Sequence, residues 1–140
     1  MNPAVATAGP QAAARVARTI TLVAGVATLV FFGLSLGPII SSLPYLDPLY
    51  DTGSAVALFG IPVVIAVVGQ FVSLSTLRRM LGAYAIVFLL AVVAWVPALN
   101  APLPAGLAPW PLEVTALGTV PAAIAWRPAW VWVYLAVNSI

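Results

Sequence analysis

The chain has 140 residues and a mass of 14.5 kDa, with 64% hydrophobic residues, 6% charged residues and a formal net charge of +2. A soluble domain carries about 25% charged residues, so this composition cannot cover a water-facing surface. Intrinsic disorder, which needs low hydrophobicity and high net charge, is excluded with it. An integral membrane protein remains.

The missing residue types exclude chemistry as well. With no Cys and no His, the chain offers no thiolate, no imidazole base and no Ser-His-Asp triad. No cofactor or metal site is expected, and no enzyme chemistry within these residues. A small net charge without a basic stripe argues against nucleic acid as a partner. All the cations are Arg, and that usage, with abundant Ala, Val, Pro and Gly, suggests a GC-rich bacterial genome.

Apolar runs predict an all-α, polytopic transmembrane helix bundle with four spans and the start of a fifth. Residues 1–14 are Ala-rich, lack a helical stripe and read as a mobile cytoplasmic tail; residues 15–140 form the membrane domain. The first span runs from Thr19 to Leu36, extending toward Leu43. It is longer than a signal-peptide core and no Ala-x-Ala site follows, so it is read as uncleaved. Gly33-x-x-x-Gly37 has the spacing for close helix approach, which would suit a homodimer formed by helix packing. Capping of a helix end before Pro38 explains the same glycine equally well.

The loop that follows, Ser41 to Gly53, holds Tyr45, Asp47, Tyr50 and Asp51 between restrictive prolines. These four residues form the candidate sensing surface, a cap too short to be a separate domain. Two carboxylates do not make a calcium site, which wants six to eight oxygens.

The second span covers Ala55 to Leu74, with Gln70 and Ser73 available to bond a neighbouring helix. The third covers Gly82 to Leu99. The fourth, Leu112 to Trp126, reaches only ~22 Å, against ~30 Å of hydrocarbon, and reads as a short, bilayer-thinning span or a re-entrant segment, the crossing being favoured by the charge pattern below. Glu113 sits in its first turn, where a carboxylate suits the helix dipole. Ala57-Leu58-x-x-x-Pro62-x-x-Ile65-Ala66 in the second span repeats as Ala116-Leu117-x-x-x-Pro121-x-x-Ile124-Ala125 in the fourth. Pro62 and Pro121 are expected to kink their helices. Paired broken helices can mark a transporter site, although no charge lies mid-membrane, as a coupled carrier would need.

A fifth apolar helix begins after Arg127-Pro128 and reaches Ile140 after about 18 Å. The expectation is that the natural protein continues beyond it, because carbonyls and a carboxylate ending in lipid are costly.

Charge sets the threading. Arg15, Arg18, Arg78, Arg79 and Arg127 all fall in alternate connections, and the others contain no basic residue. Cytoplasmic loops are enriched in Arg, so the N-terminus is inside a bacterial cytoplasmic membrane and Asp47, Asp51 and Glu113 lie outside or at its edge. Tyr45, Tyr50, Trp95 and Trp110 then fall near the outer interface, and Tyr84, Trp126, Trp130 and Trp132 near the inner one, as anchoring belts.

This N-inside Ala/Val/Leu array has short outer loops rich in Pro and Leu. Its span ending Ala125-Trp126-Arg127-Pro128 leads into Trp130-Val131-Trp132-Val133-Tyr134-Leu135-Ala136-Val137-Asn138-Ser139. The pattern resembles the N-terminal membrane region of actinobacterial sensor histidine kinases. The resemblance implies an input module for two-component signalling, with the phosphoaccepting His and ATP-binding domain lying outside this chain. No catalytic residue is carried over. The alternative is a stand-alone small multi-pass membrane protein, a transport or assembly subunit.

Overall fold

The computed structural model describes residues 3–107 and 109–138, with side chains from Gly9 to Leu107 and Pro109 to Val137. Among the described residues every regular element is helical. Helix α1 (Pro3–Ser42) is the longest. The segment expected as a tail belongs to this helix from Pro3 onward. Ala has the highest helix propensity of any residue and needs no apolar stripe to express it. The Gly37-Pro38 pair, expected at a helix end, lies inside α1, which runs on to Ser42.

The next helical run, Pro48–Val68, starts earlier than the apolar pattern suggests. Its start is fixed by Asp47, whose Oδ1 accepts from the backbone N–H of Leu49 and Tyr50 at 2.9 and 3.1 Å, with Pro48 in the first turn. The run comprises α2 (Pro48–Ala55), a π-helical turn (Val56–Gly60) and α3 (Ile61–Val68). Ser73 then caps α4 (Leu74–Ala94), its Oγ accepting from Thr76 N–H at 3.3 Å. Its expected bond to a neighbouring helix is replaced by that cap. Gln70 does reach across: its Nε2 donates to the Arg18 carbonyl of α1 at 3.4 Å.

After a long connection come α5 (Trp110–Glu113), α6 (Ala116–Ala125) and α7 (Pro128–Asn138). Three helices are long and apolar enough to cross a membrane: Gly9–Ser42, Pro48–Val68 and Leu74–Ala94. Ala116–Ala125 and Pro128–Val137 are shorter apolar helices.

Packing in this chain inverts the soluble pattern. Large aliphatic side chains of α1, such as Val23, Val26, Leu29, Val30 and Leu34, are exposed, while Thr21, Thr28, Ser35 and Ser42 are buried. Those hydroxyls recur every seven residues and lie on one face of the helix. Thr21 and Thr28 donate to the carbonyls of Ala17 and Ala24, at 2.7 and 2.8 Å. Small side chains whose polar atoms bond their own helix let backbones approach closely, the packing typical of helices that cross a membrane.

The closest approach of α1 to α3 is at Gly25, where any Cβ would overlap that of Ala66. Gly118 of α6 lies equally tight against Phe88 and Tyr134. Gly33 and Gly37 meet nothing within the chain. Helix α4 is the centre of the bundle, burying Leu77, Leu81, Tyr84, Ala85 and Phe88 at helical spacing.

Candidate functional site

One backbone irregularity organises the middle of the bundle. Residue 62 of a regular helix would donate its N–H to the carbonyl of Leu58, four residues back. Pro62 has no N–H, and its ring crowds that carbonyl. The preceding turn widens into the π conformation over Val56–Gly60, and the Leu58 carbonyl accepts the Tyr84 hydroxyl of α4 at 2.8 Å. Tyr84 and Leu58 are both buried. The orphan acceptor is thus satisfied inside the protein, as a segment able to cross a membrane would require. Pro121 also lies within its helix, α6, which is separated from α5 by Val114 and Thr115. Tyr84 was expected at an interface belt; burial against Leu58 gives it a core role instead.

The four residues of the expected sensing loop divide sharply. Only Asp47 is exposed, and it is the cap of α2. Tyr45 and Tyr50 are half-buried. The Tyr45 carbonyl accepts from Asn100 N–H at 2.8 Å and the Asp47 N–H donates to Ala98 O at 3.0 Å. These bonds flank an antiparallel bridge between Leu46 and Leu99. The two connections that lack Arg are therefore stitched together. Tyr50 donates its hydroxyl to the Ala91 carbonyl of α4 and packs edge-on against Trp95 with centroids 6.2 Å apart.

Asp51 lies in α2 rather than in a loop, and it is 0% exposed. Its Oδ1 accepts from Trp110 Nε1 at 3.0 Å; Ser42 Oγ lies 3.4 Å from the same oxygen, with its one proton directed to the Ile39 carbonyl at 2.8 Å. Its Oδ2 is buried without a hydrogen-bond partner. One carboxyl thus joins the end of α1, the start of α2 and α5. Trp110 is 0% exposed and stacks on Phe59 at 5.8 Å, and Phe59 meets Phe32 of α1 at 5.2 Å. Trp95 is also buried, so neither indole is an interfacial anchor. Trp130 and Trp132 on α7 are the strongly exposed pair.

Beside this cluster lies a groove of about 580 Å³ between α1 and the Pro48–Val68 run. Its walls are aliphatic and aromatic from Leu29 to Leu43 on one side and from Thr52 to Val63 on the other, and Asp51 is its one acidic residue. An apolar cleft with a single converging polar group is the usual form of a small-molecule site. Sequence reasoning singled out Asp51 but missed Ser42 and Trp110. The seven-residue recurrence of hydroxyls through Ser42 was a legible signal; nothing in the local sequence marked Trp110.

The charged residues separate to opposite ends. Arg18 Nη2 donates to the Val72 carbonyl at 2.9 Å, which places the Arg15–Arg18 turn of α1 beside the turn that leads to Arg78 and Arg79. A Cβ on Gly82 would meet Trp126 Nε1 at 3.0 Å, so Arg127 belongs to the same end. Asp47 and Asp51 lie at the other, and Glu113 follows Trp110 there. Arg15, Arg78, Arg79, Arg127 and Glu113 are exposed. Among the described residues no group of three or more potential metal-ligating side chains occurs.

Comparison with known protein families, with characterised proteins and with solved structures finds no match for this chain.

Proposed function

We propose that this chain is the membrane-embedded sensing region of a bacterial signalling protein, with four crossings and the start of a fifth. Its Arg-bearing end lies in the cytoplasm and its acid-bearing end outside. The observation that carries this reading is the segregation of all five Arg from the three acids onto opposite ends of one apolar bundle. The positive-inside rule then orients the bundle. The broken α5–α6 segment supports a fourth crossing, because Trp110 bonds Asp51 at one end while Trp126 packs by Gly82 at the other. Its break is shielded by protein, where irregular backbone is tolerated.

The input-module reading is favoured over a carrier by what lies between the ends. Among the described residues, the buried polar side chains of α1 between the ends are Thr21, Thr28 and Ser35, small hydroxyls without charge. The carbonyl freed by Pro62 is occupied by Tyr84 rather than offered to a substrate. Helix α7 starts from the Arg-bearing end and heads outward. In this reading a kinase region of the histidine kinase type lies outside these residues. Self-association belongs to the same proposal, through the open face at Gly33 and Gly37.

Two experiments test it. Asp51 is buried, so reporters belong elsewhere: Pro102→Cys at the acid-bearing end and Ser75→Cys at the Arg-bearing end, both exposed in a chain without native Cys. An impermeant thiol reagent added to intact cells should label Pro102→Cys and spare Ser75→Cys. The reverse pattern overturns the orientation. The link to signalling is tested by reading the source gene beyond the codon for Ile140. A phosphoaccepting His and an ATP-binding module in frame support it; a stop, or further spans without them, removes it.

A further inference from the structure

We propose that the groove between α1 and the Pro48–Val68 run is a binding site for a long-chain amphiphile with an uncharged hydroxyl head, seated against Asp51. Three observations carry this. The groove's wall on α1 extends from Leu29 to Leu43, about 21 Å of helix, which matches an extended fatty chain. Its lining is apolar along that length, with Asp51 at the end nearer the acid-bearing loops. Asp51 is 0% exposed, and its Oδ2 is buried with no partner while Oδ1 is bonded by Trp110, so a head group in the groove meets Oδ2 once the carboxyl turns toward it. A buried polar atom left unbonded is destabilising, so a ligand that bonds it gains a contact that bulk lipid chains cannot offer.

The asymmetry of the carboxyl selects the head group. The Trp110 indole donates to Oδ1, so Oδ2 is either an acceptor or, in the protonated acid, the O–H donor. A hydroxyl both donates and accepts and therefore satisfies Oδ2 in either state. A carboxylate head would meet like charge, and an ammonium would serve only the ionised form. The apolar walls near Asp51 contain no cation to hold a phosphate. Thr52 lines the groove next to Asp51 and adds a second hydroxyl at the same end.

This site rests on the membrane reading above in one respect, that the groove opens to lipid. The test separates the two. The full chain is reconstituted in phosphatidylcholine nanodiscs, and the Pro102 and Ser75 cysteine reporters confirm insertion independently. The probe is a saturated C16 alcohol carrying a photoreactive diazirine, with the crosslinked residues located by mass spectrometry. Crosslinks should fall on the groove walls and be displaced by unlabelled C16 alcohol. Displacement by the C16 acid, the C16 amine or hexadecane should be at least about tenfold weaker, the ratio expected for one buried hydrogen bond.

Two variants locate the effect. Asp51→Leu removes the polar contact. Gly60→Leu adds bulk at a residue lining the groove, where a Cβ would meet nothing closer than Val56 Cγ1 at 4.0 Å, and its insertion is checked with the same cysteine reporters. Both should lose capture by about tenfold. If Asp51→Leu does not insert, Gly60→Leu decides alone. Equal displacement by hexadecane and the alcohol would mean that bulk chains merely solvate the groove, and this overturns the proposal. Stronger displacement by the acid or amine, or unchanged capture in Gly60→Leu, overturns it too.

Discussion

The bond between Tyr84 and the Leu58 carbonyl makes a sharp prediction, because Pro62 is the reason that carbonyl is vacant. Replacing Tyr84 by Phe removes the donor and keeps the ring that fills the core beside Phe88, whose centroid lies 6.5 Å away. The Leu58 carbonyl, buried with its residue at 0% exposure, is then left short of a partner. An unsatisfied buried acceptor costs about 1–3 kcal/mol, whereas hydrogen bonds between membrane helices average only about 0.6 kcal/mol in double-mutant cycles. The hypothesis is a loss of roughly 1 kcal/mol for Tyr84→Phe in the natural background. Pro62→Ala changes the context: residue 62 regains an N–H, which can donate to Leu58 and close the π turn to a regular helix. In that background Tyr84→Phe should cost much less, because the carbonyl keeps a partner.

The test is a double-mutant cycle on unfolding free energy, read by steric trapping or by denaturation in mixed micelles. The expected coupling between the two substitutions is about 0.5–1 kcal/mol, above the ~0.3–0.5 kcal/mol scatter of independent sites. Equal cost of Tyr84→Phe in both backgrounds would refute the reasoning, since it would mean that the hydroxyl acts without reference to the missing amide. A crystal or NMR structure of Pro62→Ala that keeps the π turn would refute the second half alone.

Other predictions follow from the same packing and can be read by the same unfolding assay. Gly25→Val should destabilise by about 1–3 kcal/mol or more, because its Cβ overlaps Ala66 across the α1–α3 contact; neutrality would mean that these helices do not pack there. Gly33→Ala and Gly37→Ala meet nothing within the chain and should gain up to about 1 kcal/mol of helix propensity. A loss of crosslinked dimer in these two variants would support self-association, and no change would argue against it. Trp110→Phe keeps the stack on Phe59 but removes the donor to Asp51, for a predicted loss of about 1–3 kcal/mol. Asp51→Asn, oriented with Oδ1 toward Trp110, should cost less than Asp51→Leu; the reverse order would show that the carboxyl's hydrogen bonds do not hold this end together.

How much of this was legible in the sequence depends on whether the signal was local. Composition and apolar run length foresaw an all-helical chain and placed its three long helices, because a membrane helix must satisfy every backbone group within itself. Helix ends were misplaced where a polar side chain outweighed hydropathy. Asp47 starts α2 upstream of the apolar run, and Ser73 starts α4 well before Gly82. For that reason Asp51 was read as a loop residue although the Asp47-Pro48 cap makes it helical. Pro62 was expected to kink its helix; the structure has a π turn before it, and the donor that meets the Leu58 carbonyl is Tyr84, a residue 22 positions later in the chain. The Asp51–Trp110 pair, separated by 59 positions, had no local signature at all. The aromatic positions misled for a related reason. An indole near a predicted interface and an indole in the core look alike in sequence, and only the partner at Nε1 distinguishes Trp110 from Trp130.

The same distinction explains why polar residues are informative in this chain. In a bundle whose surface and core are both apolar, hydrophobic burial cannot dictate which face of a helix turns inward. Hydroxyls and small residues do so instead. Thr21, Thr28, Ser35 and Ser42 turn one stripe of α1 toward its neighbours, Gly25 sets the distance, and Ser42 delivers the stripe to Asp51. Every polar group along that stripe for which a bond is resolved is satisfied inside the protein. Asp51 Oδ2, at the end of the stripe and at the head of the groove, breaks the pattern. A chain with so few charged residues thus buries one of them half-bonded beside an apolar cleft.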